Sequence, residues 1–519
     1  MRNLRLVESP FVVFAVFLMI YLLTLTSNFT APHDSMAYLN MLRTGEGLWH
    51  PHHLLYHVAS LEWLKFWKLI FPNVEDYRIV ESFSSAWGAA TLAFVFVFFR
   101  KRFNQPVSSS WLCTAVIGFS YGIWFYSANV EVYMPSLFFT VWTLYLLTEK
   151  DWSSKQVWRI GVVHSMAILF HQMNILLIPV VLYKIFTQGK NIYIFKTLFW
   201  YALTGVVLVG GVYFLGGWVA EGNNNVVDWV SWMRGYTETN DYWRPLTWKT
   251  PALAGMGFLR TIIGGQFVFN VGSIQTSMDD FLKMHALQDE AFLVRNLTPG
   301  VVWTAMILTA LLGVLMVLLL VQFIARFRTH MRSWKHVIVP LLLYVVVYSA
   351  YFFFWMPEIL EFWFGQCIIC WWLLLGTRPG GRPLNIMAGT IAFILVVVNY
   401  TTSIKPMQDL NNDIGYARIQ KVRQAATSSD LIVVQNPWLL REFLEYYTPT
   451  PVRVIPDQGF QQIALRQFID STVNNGHHVF IFLSEDSTGN KDFFPQLQKD
   501  YAPRMSMLQQ EMLPVYEIK

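Results

Sequence analysis

Eleven long apolar runs constrain this chain more than any other feature. They are Phe11 to Thr26, Ser82 to Phe99, Trp111 to Tyr126, Tyr133 to Thr148, Ile160 to Phe170, Ile175 to Phe186, Thr197 to Trp218, Val301 to Ile324, Val337 to Trp355, Phe362 to Gly376 and Leu384 to Tyr400. A helix needs about 20 apolar residues to cross ~30 Å of hydrocarbon, and most of these runs approach that length. The fifth and sixth are too short to cross alone in standard form, so they are expected to run obliquely or to meet as broken helices around His171, Gln172 and Asn174. The first run is long and no small-residue cleavage site follows it, so it reads as a retained anchor rather than a signal peptide. Composition agrees: the 519 residues are 54% hydrophobic, 17% aromatic and only 14% charged, against roughly 25% charged in soluble domains. The expected fold is a polytopic α-helical membrane protein with about eleven transmembrane helices.

Lysine and arginine set the expected orientation. Arg2 and Arg5, Arg100 to Arg102, Lys150 with Lys155 and Arg159, Lys184 with Lys190 and Lys196, Arg326 to Lys335, and Arg378 with Arg382 all fall on one side if every run crosses. By the positive-inside rule that side is the cytoplasm. The N-terminus is then cytoplasmic, and the external parts are residues 28–81, residues 219–300 and everything after Thr401. The reading therefore divides the chain into a transmembrane domain, 1–400, and an extracytoplasmic domain, 401–519. In the latter, strands Leu431 to Val434, Val452 to Ile455 and Val479 to Leu483 alternate with helical stretches, the pattern of a small α/β domain with a parallel sheet. Its first strand runs into Gln435-Asn436-Pro437 rather than a glycine-rich phosphate loop, which argues against nucleotide binding. The net charge of +5 is spread as topology signals rather than gathered in a patch, so no nucleic-acid partner is expected. Cys367-Ile368-Ile369-Cys370 lies in an apolar run and reads as filler rather than a redox or zinc site.

Polar residues kept near a membrane interface are functional candidates, because burying them is costly. Four clusters converge on the external face. The first loop carries Pro32-His33-Asp34-Ser35-Met36-Ala37-Tyr38 and then His50-Pro51-His52-His53-Leu54-Leu55-Tyr56-His57. Asp34 and Ser35 are placed to cap a short helix closed by Gly45 and Gly47, so Asp34 has a capping reading beside a catalytic one. Pro51 suits the first turn of another helix, with the His52 and His53 amides at its positive end, where a phosphate would fit. Zinc is disfavoured because adjacent His52 and His53 cannot both face one ion from a helix. The second cluster is Glu131 with Tyr133, opening the fourth run. The third is His171, Gln172 and Asn174 at the hairpin tip. The fourth is Glu358 and Glu361 on a turn rich in aromatics. Arg260 in the second long loop is a possible anion contact, with a snorkelling arginine as the alternative.

The N-terminal anchor, the first-loop Pro32-His33-Asp34-Ser35 with Tyr38, the His50 to Tyr56 segment and Glu131-Val132-Tyr133 together resemble the GT-C superfamily of integral-membrane glycosyltransferases. The likeness is closest to the protein O-mannosyltransferase-like and aminoarabinose-transferase-like bacterial enzymes. The architecture matches over residues 1–400, and the motifs over the first ~175. The resemblance implies a lipid-phosphate-linked sugar donor, an external active site and inverting transfer with a first-loop aspartate as base; here that residue is Asp34. Many relatives have two adjacent acids at this point, where this chain has His33 before Asp34. At the hairpin, His171 stands where a lysine near the donor phosphate is common.

The expected function is transfer of a sugar from a polyprenyl phosphate to an extracytoplasmic protein, glycan or lipid, in the inner membrane of a bacterium. Such chemistry needs a base and donors for the phosphate leaving group, and no nucleotide site. The reading assigns Asp34 as base and His52, His53, His171 and Arg260 to the donor phosphate. It places His33, Tyr38, His50, Tyr56, Glu131, Tyr133, Gln172, Asn174, Glu358 and Glu361 around the substrates. It assigns no cofactor or metal and leaves divalent-metal dependence open. The alternatives weighed are a lipid-linked oligosaccharide ligase or polymerase, a polyprenyl-lipid transporter or flippase, and a non-catalytic membrane scaffold.

Overall fold

The structure is a computed structural model that describes residues 8–150, 154–188, 191–235, 242–282, 288–435, 439–456, 459–483, 493–510 and 513–519. The chain forms two compact units, one of Met1–Thr26 with Gly45–Gln408 and the other of Ser27–Thr44 with Asp409–Lys519.

The first unit is a helical membrane bundle. Among the described residues five helices are long and apolar enough to cross a bilayer: Asp76–Arg102, Ile194–Ala220, Pro299–Ala325, Phe327–Phe352 and Arg382–Met407. Six shorter apolar helices accompany them: Pro10–Leu23, Val107–Gly118, Tyr133–Leu147, Gln156–Phe170, Gln172–Thr187 and Leu360–Gly376. Ten of the eleven apolar runs fall mainly on one of these, whereas the run Trp111 to Tyr126 is divided at Phe119 and Ser120 between Val107–Gly118 and a short helix, Tyr121–Ser127. Their burial differs sharply, with 61% of the apolar window of Asp76–Arg102 inside the protein but only 11% of those of Ile194–Ala220 and Pro299–Ala325. The first is thus a core helix and the other two present their sides to hydrocarbon. Ser84, Ser85, Gly88 and Ala89 are all buried on Asp76–Arg102 and let neighbouring segments approach it closely. A Cβ on Gly88 would fall 2.0 Å from the Ser127 hydroxyl oxygen.

The hairpin between the two shortest runs breaks where polar residues interrupt it. His171 is extended, at φ −158°, and its ring nitrogen Nδ1 accepts the Met173 N–H at 3.3 Å. The chain then makes a tight turn, Gln172–Leu177, before Ile178–Gln188.

The second unit holds a five-stranded sheet in the order β2-β1-β3-β5-β4, where β1 is Leu431–Val434, β2 Val452–Val454, β3 Val479–Phe482, β4 Met505–Gln509 and β5 Val515–Ile518. β1 pairs in parallel with β2 and β3, as expected of strands joined through helices. The sheet is not wholly parallel, however: β5 lies antiparallel to both β3 and β4, because the chain after the helix Phe493–Asp500 returns as a hairpin. The C-terminal unit begins at Asp409, because the last apolar helix runs on to Met407. It also takes in residues 27–44, which the sequence reading placed with the membrane domain's loops. There the helix Ser35–Thr44 packs on the helix Leu440–Tyr447, with the Asn40 amide donating to the Glu442 carbonyl at 2.9 Å. Gly45 and Gly47, at φ 76° and 67°, follow that helix at its expected end.

Candidate functional site

In the membrane unit, five imidazoles form one cluster. His50 stacks on His53 with ring centroids 5.0 Å apart, His52 lies 5.4 Å from His50, and His57 lies 6.2 Å from His50. His171, from the distant hairpin, closes on His53 at 4.7 Å. Backbone bonds fix this meeting: the Gln172 N–H donates to the His52 carbonyl at 2.9 Å, and the Leu55 N–H to the Leu169 carbonyl at 3.1 Å. Below, Leu54, Leu169 and Tyr213 share an apolar core with Trp49, Trp229 and Trp232. The Tyr213 hydroxyl donates to the Pro51 carbonyl at 2.7 Å, and His52 Nε2 lies 3.2 Å from the Arg234 carbonyl.

The local backbone differs from the sequence expectation. The helix after Pro51 opens only at Tyr56, so the His52 and His53 amides are not at its positive end. The His53 N–H donates instead to the His50 carbonyl at 3.0 Å. Ring packing and the Tyr213 contact hold His50 to Leu55 as successive turns, and what the cluster presents is therefore imidazole.

Burial keeps these rings neutral. Desolvation, followed by repulsion from neighbouring imidazoles, lowers His50 to about 4, and His57 and His171 to about 3. Burial likewise lowers His52, and burial with the charges of the other four imidazoles pulls His53 well down. Near neutral pH the cluster is a set of uncharged N–H donors and nitrogen acceptors.

On the other side of His171 lies Tyr133, its ring 5.1 Å away and nearly parallel. The Tyr133 hydroxyl donates to Glu361 Oε1 at 3.1 Å, and the Tyr126 hydroxyl donates to Glu361 Oε2. Tyr133, Ser136, Thr140, Asn174, Tyr344 and Glu361 line a narrow cleft at this point. Glu131 is 1% exposed, and burial with the Glu131 charge drives the Tyr56 phenol well up. The sequence-chosen His50, His52, His53, Tyr56, Glu131, Tyr133, His171, Gln172 and Glu361 thus belong to one region. Asn174 serves it from beneath: its amide nitrogen donates to Ser136 and to the Ala167 and His171 carbonyls, and its oxygen accepts from Thr140 and Tyr348.

Two other choices are engaged elsewhere in the same unit. Glu358 pairs with Arg244 at 3.4 Å. Arg260 pairs with Glu290 at 3.0 Å. Sequence reasoning missed Tyr126, whose role depends on Glu361 more than two hundred residues away, and the helix Val226–Arg234, which brings the Arg234 carbonyl to His52.

Asp34, His33 and Tyr38 belong to the second unit. The Tyr38 hydroxyl donates to Asp34 Oδ2 at 3.3 Å, and His33 adopts φ 67°, a left-handed conformation uncommon outside glycine. Asp34 is open to solvent. Desolvation by its surroundings still raises its carboxyl pKa, against opposing pulls from His33 and the Tyr38 hydroxyl.

Among the described residues no group of three or more His, Cys, Asp or Glu side chains is arranged to hold a metal ion. No protein-family model and no curated protein sequence matches the chain. Its fold is similar to that of a crystal structure of ArnT from Cupriavidus metallidurans in the apo state. The TM-score is 0.54 at 11% identity, covering 98% of this chain and 97% of that one. A structure of the same ArnT bound to undecaprenyl phosphate aligns over the same shares at 12% identity, with a TM-score of 0.48. At such identity the apo likeness is one of fold, and that fold is the polytopic architecture expected from the sequence.

Proposed function

We propose that this chain is a GT-C-type glycosyltransferase that moves a sugar from a polyprenyl phosphate to an extracytoplasmic acceptor. The observation that carries the reading is the five-histidine cluster, four of its rings buried and His50 half-buried, joined through His171 and Tyr133 to Glu361. It sits in a bundle whose helices Ile194–Ala220 and Pro299–Ala325 face hydrocarbon. The resemblance of the first-loop motifs and the ArnT-like fold support the same reading. N–H donors at a leaving phosphate stabilise the negative charge that builds as the bond to the sugar breaks. The imidazoles supply such donors without the desolvation cost of buried charges. Glu361, held by two phenols, is suited to accept hydrogen bonds from sugar hydroxyls.

The proposed step is a single displacement. The acceptor oxygen bonds to the anomeric carbon, the bond from that carbon to the phosphate oxygen breaks, and the electron pair leaves with the polyprenyl phosphate. Configuration inverts, and the acceptor proton passes to a carboxylate, assigned here to Asp34 on the sequence resemblance and its accessible carboxyl. The alternation of basic residues favours a cytoplasmic N-terminus and an extracytoplasmic second unit, and the likeness to a bacterial ArnT favours a bacterial inner membrane.

The test incubates purified full-length protein in nanodiscs with a panel of radiolabelled undecaprenyl-phosphate-linked sugars and candidate protein, glycan and lipid acceptors. Release of undecaprenyl phosphate with label transfer is the expected result. Movement of the lipid across the bilayer with no bond cleavage would overturn the reading in favour of a transporter.

A further inference from the structure

The second unit joins its C-terminal α/β portion to the segment that carries Asp34, and one buried side chain makes the joint. Asp413 is fully buried and opens the helix Ile414–Ala425, its Oδ1 accepting the Tyr416 N–H at 3.1 Å. A capping aspartate ordinarily serves its own helix. This one also receives three donors from a segment almost four hundred residues earlier. Its Oδ2 accepts the Phe29 N–H at 2.5 Å and the Thr30 N–H at 2.9 Å, and its Oδ1 accepts the Thr30 hydroxyl at 2.5 Å. The Thr30 hydroxyl oxygen in turn accepts the Gly415 N–H at 3.1 Å. Gly415 leaves room for this approach, since a Cβ there would lie 2.6 Å from the Phe443 ring and 2.7 Å from Thr30 Oγ1.

From the clamp to Asp34 the chain has little slack. The Ala31 N–H donates to the Asn28 side-chain oxygen at 3.1 Å, the His33 N–H to the Thr30 carbonyl at 3.1 Å, and the Asp34 N–H to the Pro32 carbonyl at 2.9 Å. His33 holds its left-handed φ inside this turn, a conformation that persists only where surrounding contacts over-determine it. The helix that Asp34 precedes is pinned at its far end, where Arg43 donates to the Glu445 carbonyl at 2.6 Å and to the Tyr446 carbonyl at 2.9 Å.

We propose that Asp413 is a positioning residue: by clamping Phe29 and Thr30 it fixes the turn that aims the Asp34 carboxylate, so the C-terminal unit is a scaffold for the base-bearing segment. The link to catalysis rests on Asp34 being the base; the clamp itself does not. A displacement of about 1 Å in a catalytic group can cost on the order of 100-fold in rate. Loss of the clamp should therefore lower kcat far more than it raises KM for the lipid donor.

The experiment uses full-length protein in nanodiscs and the variants Asp413→Ala, Thr30→Val and Thr30→Ser. Thr30→Val removes the clamped hydroxyl and Thr30→Ser restores it, which keeps the test open if Asp413→Ala folds poorly. Amide hydrogen exchange reads the clamp without any substrate. Peptides spanning residues 27–34 should exchange at least about 10-fold faster in Asp413→Ala and Thr30→Val, and at the wild-type rate in Thr30→Ser, with the β1 and β3 amides unchanged. Equal protection in all three variants would overturn the clamp. Release of undecaprenyl phosphate from the lipid-linked sugar then reads its consequence. Asp413→Ala should lose about 10- to 100-fold in kcat, and adding it to Asp34→Asn should cost nothing more. Full additivity, or a wild-type kcat in a de-protected variant, would overturn the positioning role. Normal turnover by Asp34→Asn alone would overturn the base assignment and leave the exchange result standing.

Discussion

Acidification should unfold the membrane unit through its histidine cluster, and the size of the effect follows from the structure. An unfolded histidine titrates near 6.5, whereas His50 is held at about 4 and His57 and His171 at about 3. The folded pKa values are depressed, so the unfolded chain gains protons first as pH falls. The stability these neutral rings contribute is complete above pH 6.5 and is lost progressively between 6.5 and about 3. At pH 5 each of the three unfolded histidines would be almost fully charged and each folded one almost fully neutral, a difference of roughly 2 kcal/mol per ring. His171→Gln removes one ring from this linkage and should cut the pH-dependent loss by about that amount, whatever it does to stability at pH 7.5. The assay is thermal unfolding of detergent-solubilised wild type and His171→Gln between pH 7.5 and 5, comparing the change in Tm across the range rather than Tm itself. Undecaprenyl phosphate adds a second reading. A bound phosphate favours the charged form of any imidazole it touches, so its affinity should tighten as pH falls and the ligand should offset the acid loss. Parallel wild-type and His171→Gln curves, together with pH-independent lipid binding, would refute the reasoning.

Asp34→Asn should bind undecaprenyl phosphate normally while turnover falls about 10²- to 10⁴-fold, the usual worth of a general base; near-normal transfer by this variant would move the test to Glu131. Because its surroundings raise the Asp34 carboxyl pKa, the acid limb of kcat should lie above the ordinary carboxylate range, with rate rising as pH increases through it. Tyr133→Phe keeps the ring on His171 but deletes the bond that orients Glu361, so kcat/KM should drop by up to about 100-fold, the usual cost of misplacing a group at a site; equal kcat/KM would show that the Glu361 contact is not used. Asn174→Leu takes the Asn174 partner away from the Ser136 and Tyr348 hydroxyls inside the bundle, while Thr140 keeps its bond to the Ser136 carbonyl; at about 1–3 kcal/mol for each buried group left unsatisfied it should show as a loss of folded yield by size-exclusion chromatography.

Much of this architecture was legible in the sequence because a bilayer imposes a one-dimensional rule. Backbone groups in hydrocarbon must bond within their own helix, so each apolar run announces a helix regardless of its neighbours. The break at His171 was equally local, since three polar residues interrupt an apolar run at that point. The strands Leu431 to Val434 and Val479 to Leu483 were visible as short β-branched and aromatic runs, whereas the β4–β5 hairpin was not: β4, Met-Ser-Met-Leu-Gln, has no β-branched or aromatic residue and only its last position is buried, and β5 is only four residues long. The histidine-rich segment and His171 were each found by composition, but their meeting was not. It depends on the Gln172 and Leu55 backbone bonds between segments more than a hundred residues apart. The helix expected from Pro51 failed for the same reason, because tertiary ring packing overrode a local start signal.

Asp34 marks the division most clearly. The sequence placed it in a loop between two membrane helices, before a short helix closed by glycines, and the helix Ser35–Thr44 with Gly45 and Gly47 at positive φ agrees, since such φ preferences act within a few residues. Only the tertiary structure decided that this loop segment belongs to the C-terminal unit. That choice is made by Asp413, whose carboxylate would cap its own helix equally well without Thr30, and by Gly415, whose missing Cβ leaves space for a partner that no local signal identifies. Secondary structure here follows from interactions of short sequence range, which a single chain displays openly. The assembly of the segments follows from buried hydrogen bonds between distant residues, and these have no energetic reason to exist until the chain has folded.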